Sequence, residues 1–153
     1  MGYTHYWYHK RSFNNDEWAH ISASARRLIR SADAIKIRGW DGTGLPVIDG
    51  EKISLNGDAE TGQDHETFYL ERVPTGRTAT DGRHFAFCKT ADKDYDIVVV
   101  AILLVCHKVA PDAMDIHSDG GRAEWQEAHE WVESEFDDGF DIPPQVDRND
   151  EAG

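Results

Sequence analysis

The stretch FAFCKTADKDYDIVVVAILLVC, residues 85–106, changes character in mid-run. An apolar start, FAFC, suits a strand. It gives way to Lys89, Thr90, Asp92, Lys93, Asp94, Tyr95 and Asp96, and then to an apolar run without a polar break. Val and Ile favour a strand there. The run is nevertheless long for one, Asp94 or Asp96 offers an N-cap, His107 and Lys108 sit near its end, and Pro111 lies just beyond. These are helix boundary signals, so the sequence predicts a helix over 96–109. A helix apolar on every side must be covered on more than one face, which makes it the centre of the fold.

Working outward, YTHYWYH (3–9) is aromatic and alternating, as strands are. Asn14-Asn15-Asp16 caps a helix over 16–31, with Trp18, Ile21, Ala25 and Leu28 at helical spacing. Strands are expected over 34–40, in EKISLNGD (51–58), over 65–73, in HFAFCKT (84–90) and in AMDIHSDGG (113–121). Residues 74–83 read as a polar loop with an Asp-Gly turn. RAEWQEAHEWVESEF (122–136) places Trp125, Ala128, His129, Val132 and Phe136 on one helical stripe. The order implies an α+β fold: a mostly antiparallel sheet of about five to six strands with three helices, one of them buried and central. Residues 1–137 form one domain, and 138–153 read as an acidic, flexible tail.

The chain has 153 residues and a formal net charge of −13. That sign repels a phosphate backbone and disfavours nucleic acid as a partner. Asp exceeds Glu, 18 to 11, and is spread along the chain. This suits a surface kept soluble at high salt, or a negative face offered to a basic partner. No apolar run reaches the length of a membrane span, and the start, MGYTHYWYHK, lacks the apolar core of a secretory signal. The expected location is intracellular. Two cysteines without a CxxC pair make neither a disulfide framework nor a thiolate zinc site, and no cofactor is implied.

Several groups could carry chemistry. Cys88 is a candidate nucleophile, but Lys89 beside it points to the other face of a strand, and a buried free thiol is the simpler reading. His5 and His9 lie on a strand and chelate poorly; the best metal set would be His5, His117 and Asp119. Lys89 and Thr90 end a strand just before a helix start, where backbone N–H groups can hold an anion. The turn has no glycine cradle, so it is not a P-loop. Glu66 and Glu71 flank an apolar strand as a candidate acid–base pair.

MGYTHYW at the start, ETF at 66–68, FCKTADKDYDIVVVAIL at 87–103 and SDG at 118–120 resemble a family of small proteins encoded by tailed viruses of bacteria and archaea. The resemblance spans roughly residues 1–120, with Asp94 where the family is expected to carry Pro. It implies a viral accessory protein in the host cytoplasm and brings no activity. His5, Tyr6, Trp7, Cys88, Lys89, Thr90, Tyr95 and Asp96 fall on its motif positions.

Together these readings give a leading expectation of a small polar or anionic ligand. It would be held by His5, by Tyr6 or Tyr8, whichever faces inward, and by Lys89 and Thr90. The alternatives are an acidic module that binds a host or viral protein, a hydrolase or transferase using His5 or Cys88 with a carboxylate, and a minor virion component.

Overall fold

The computed structural model of the protein describes residues 3–75, 78 and 81–152. In chain order the elements are β1 (Thr4–His9), α1 (Asn15–Ser31), β2 (Val47–Ile48), β3 (Lys52–Leu55), β4 (Phe68–Glu71), β5 (His84–Lys89), α2 (Asp96–Val109), β6 (Met114–Ser118), α3 (Arg122–Phe136) and α4 (Pro144–Ala152). The fold is α+β and its strand pairings are antiparallel, as expected. In detail it differs: the described residues form two three-stranded sheets, ordered β5-β1-β6 and β2-β3-β4, and four helices.

Helix α2 lies where the sequence placed it, and every residue from Val98 to Cys106 is buried. Helices α1 and α3 pack against it on either side. The inner face of β1, carrying His5, Trp7 and His9, belongs to the same core. Strong β-formers make a helix here because burial on all sides outweighs a small intrinsic preference. The expected side-chain cap from Asp94 or Asp96 is not made. Tyr95 occupies the N-cap position without a side-chain cap bond, and the Asp96 carboxylate is engaged elsewhere.

Helix α1 starts with a reciprocal box: Asn14 Oδ1 accepts from the Glu17 N–H at 2.8 Å, and Glu17 Oε1 accepts from the Asn14 N–H at 2.9 Å. Arg11 then clamps the Glu17 carboxylate with both terminal nitrogens, each at 2.9 Å, which holds that carboxyl below its usual range.

Two expectations are corrected. Residues 34–40 do not form a strand; Arg38 alone bridges to Asn56. A turn closing the end of α1 (Ile35 N–H to Ala32 O) and another at Gly39–Thr43 hold the run from both sides and leave little chain free to pair. The acidic C-terminal segment is not a loose tail in the described residues. Phe140, Ile142 and Val146 are buried in the core, Pro144 opens α4 at a position where a missing N–H costs nothing, and Asn149 Nδ2 donates to the carbonyls of Ser118 and Gly120 at 2.7 and 2.8 Å. Three spaced apolar side chains outweigh the acidic composition. The polar loop expected over 74–83 lies partly outside the described residues.

Candidate functional site

The residues singled out from the sequence divide between the two faces of the β5-β1-β6 sheet. Strand alternation sends His5 inward and Tyr6 and Tyr8 outward. Cys88 faces in, and Lys89 faces out. His5 and Thr90 therefore meet in the interior, while Tyr6, Tyr8 and Lys89 stand on the opposite face. The five do not line one site. The candidate metal set separates in the same way, since His117 stacks on Tyr6 at 4.9 Å on the outer face, and Asp119 accepts from the Thr4 N–H at 3.1 Å. The outer face is aromatic, with Phe85 and Phe87 stacked at 5.9 Å and the Arg83 guanidinium 4.3 Å above the Tyr8 ring.

The interior group is a hydrogen-bonded chain. His5 Nδ1 lies 2.8 Å from Ser118 Oγ, and His5 Nε2 lies 2.6 Å from Asp96 Oδ1. Thr90 Oγ1 donates to the same Asp96 oxygen at 2.6 Å. Ser118 Oγ accepts from the Gly120 N–H at 3.0 Å and from Trp125 Nε1–H at 3.2 Å. These two donors fill its lone pairs, so its proton goes to His5 Nδ1. His5 then donates from Nε2 to Asp96. Serine, histidine and aspartate in a row have the composition of a hydrolytic triad, but not its chemistry. A nucleophilic Oγ must be open to substrate, with donors aimed at the oxyanion rather than at itself. Ser118 is buried and already holds both donors. The chain instead ties β1, β6, α3 and the start of α2 together. Gly120 belongs to the same arrangement: a Cβ there would overlap the Tyr3 hydroxyl, which burial and then the Asp96 charge push above its ordinary range.

Thr90 thus has a structural partner, and the start of α2 is a poor anion site. A cleft of about 310 Å³ beside it is lined by Asp92, Asp94, Asp96, Glu124 and Glu127, with Lys93 as the lining cation. Cys88 is buried, its thiol 3.5 Å from the Glu66 carbonyl, and burial pushes it up to about 12. A thiol held neutral at physiological pH is no nucleophile. Cys106 is raised by burial as well.

A larger cleft, of about 730 Å³, opens between β4 and β5. Trp7, Phe85, Phe87 and Tyr69 supply aromatic walls; His9, His84 and Glu71 supply polar groups. His9 is only 3% exposed, and its Nε2 has no hydrogen-bond partner among the described residues. Burial, then the nearby His84, pulls its pKa down to about 4, so the imidazole is neutral at physiological pH. The Glu71 carboxylate accepts from the Thr75 hydroxyl at 2.8 Å. No Lys or Arg lines this cleft among the described residues. Glu66, just before β4, meets the end of β5: the Lys89 N–H donates to Glu66 Oε1 at 2.8 Å, and the Glu66 N–H donates to the Lys89 carbonyl at 3.2 Å. Glu66 and Glu71 therefore sit apart, each with its own partner, and do not form an acid–base pair.

The sequence did not single out this cleft. One signal was present: the alternation that put Trp7 on the inner face of the first strand put His9 there too, and a histidine on an apolar face needs a partner.

No family model matches the chain. No curated protein and no solved structure matches it. Among the described residues no helix is long and apolar enough to cross a membrane.

Proposed function

We propose that the chain is a small accessory binding protein whose ligand occupies the cleft between β4 and β5. The observation that carries this is His9 Nε2, buried at an aromatic-lined opening with nothing to bond among the described residues. An unpaired buried polar group is costly, and a ligand that reaches it removes the cost. The ligand class follows from the walls. Trp7, Tyr69, Phe85 and Phe87 favour a planar apolar body. A neutral imidazole asks for a hydroxyl or amide that can donate or accept. The absence of Lys and Arg from the described lining favours a neutral polar ligand over an anionic one. The resemblance to small proteins of tailed viruses fits an accessory role of this kind.

The test uses 4-methylphenol, a planar body with one hydroxyl, in an NMR titration of the whole chain. The expected result is a set of shifts confined to the cleft, with affinity reduced by about tenfold in His9→Leu, the loss of one hydrogen bond. Equal affinity in His9→Leu, or no shift at the cleft at millimolar 4-methylphenol, overturns the proposal.

A further inference from the structure

We infer that the natural occupant of this cleft is an extended peptide segment that adds as a strand to β4 and β5 at once. This rests on the reading of the cleft as the ligand site and names the ligand's class.

The argument comes from where the main-chain groups point. Successive residues of a strand turn their N–H and C=O groups to opposite sides. The Asp119 N–H donates to the Thr4 carbonyl on the β6 side, and the Thr90 N–H donates to the Tyr3 carbonyl on the β5 side. His5, Trp7 and His9 therefore turn to β5, where they pair with Cys88, Ala86 and His84. On β5 that leaves Lys89, Phe87 and Phe85 turned away from β1, toward β4, with the isolated pairing of Thr78 and His84 beside Phe85. Lys89 is met there by Glu66. Phe87 is not met: among the described residues its N–H and C=O have no partner.

The same reasoning applies to β4. The Arg72 N–H donates to the Glu51 carbonyl on the β3 side, so Leu70 and Phe68 face Ile53 and Leu55. Tyr69 and Glu71 then turn their N–H and C=O toward β5. They too have no main-chain partner among the described residues. Both strands are edges of their sheets. Glu66, just before β4, bonds Lys89 at the end of β5, and residues of both strands line the cleft. Two facing edges with unpaired donors and acceptors form a slot that complements a strand on both of its sides.

The dimensions fit a short segment. From Tyr69 to Glu71 the slot is about 7 Å long, two rises of about 3.3 Å, which takes three residues of extended chain. The Glu66–Lys89 contact stops an entering strand at one end, and the isolated pairing of Thr78 with His84 lies at the other. Inward-facing side chains of the occupant would meet Trp7 and His9. A side chain with an aromatic body and a polar tip satisfies both.

The probe is the blocked peptide acetyl-Val-Tyr-Val-Thr-amide, compared with 4-methylphenol and with the same peptide methylated on the tyrosine amide nitrogen. The peptide is expected to bind at least about tenfold tighter than 4-methylphenol. At saturation the amide hydrogens of Tyr69, Glu71 and Phe87 should exchange at least about tenfold more slowly, and the methylated peptide should fall back to the affinity of 4-methylphenol. A peptide no tighter than 4-methylphenol, or unchanged exchange at those three amides, overturns strand addition. If 4-methylphenol still binds in a His9-dependent way, strand addition alone has failed and the small-ligand site stands. If peptide binding slows the three amides but 4-methylphenol does not bind, strand addition stands without the small-ligand reading.

Discussion

Asp96 accepts from His5 at 2.6 Å through the same oxygen, Oδ1, that takes the Thr90 hydroxyl. One carboxylate oxygen thus joins the central strand β1, the end of β5 and the first residue of α2. Removing it leaves two donors in the interior without an acceptor. Asp96→Ala should lower the unfolding free energy by about 2–4 kcal/mol, the cost of stranding two such groups. Thr90→Val alone should cost about 1 kcal/mol. The double substitution should cost less than the sum, because the valine in place of Thr90 brings no hydroxyl to strand. Urea denaturation of the four proteins measures this. Strict additivity would show that the two groups do not share an oxygen in solution.

His9 makes stability depend on pH in a definite direction. Its pKa is about 4 in the folded protein against 6.5 for an ordinary histidine. Between these values the unfolded chain binds a proton that the folded chain does not. Stability is therefore full above about pH 6.5 and falls as the pH drops toward 4, by up to about 3 kcal/mol in total. His107 and His117 are lowered by burial as well and add slopes of the same sign. The difference between the native chain and His9→Leu isolates the His9 part. It should be flat above pH 7 and shift in favour of His9→Leu as the solution is acidified to about pH 4.5. A difference independent of pH would place His9 in water.

Helices α1, α2 and α3 and the two longest strands were legible because their signals are local. The all-apolar run ending before Pro111 marks α2, and the Trp125–Ala128–Val132 stripe marks α3. The split into two sheets was not legible. It depends on whether β4 pairs with β5, and that is decided by a few hydrogen bonds at Glu66 and Lys89 between segments far apart in the chain. The same distance hid the cleft. His9, Tyr69, Glu71 and Phe87 come from three strands with nothing in their spacing to unite them. His5, Thr90 and Asp96 stand out in the sequence by residue type alone, and strand alternation separates His5 from Tyr6 and Tyr8. Their common role needed Ser118, which reads in sequence only as part of the SDGG turn.

The turn between β5 and α2 carries backbone strain. The Lys93 N–H bonds back to the Thr90 carbonyl, and the two residues between, Ala91 and Asp92, have φ of 51° and 59°. Positive φ at both central positions is the type I′ pattern, which selects Gly and Asn. Asp tolerates it; Ala has neither a missing Cβ nor a short polar side chain to compensate. Relief of the Cβ contact favours Gly in the native state, and the greater freedom of an unfolded Gly offsets part of that gain. Ala91→Gly should therefore raise stability by a net ~0.5–1 kcal/mol, read as a higher urea midpoint at unchanged slope. A lower midpoint would mean that the turn relaxes out of this conformation.

The C-terminal segment gives the sharpest contrast between composition and packing. Val146 on α4 is fully buried in the core, and Asn149 spans the carbonyls of Ser118 and Gly120. Those carbonyls flank the Ser118 hydroxyl that bonds His5. Helix α4 therefore braces the turn that completes the interior chain. Val146→Ala should cost about 2 kcal/mol through the cavity it leaves. Asn149→Ala should cost about 1–2 kcal/mol and speed exchange of the Gly120 amide, whose acceptor is Ser118 Oγ. A flexible tail predicts neither effect, so unchanged stability in both variants would return residues 138–152 to the surface.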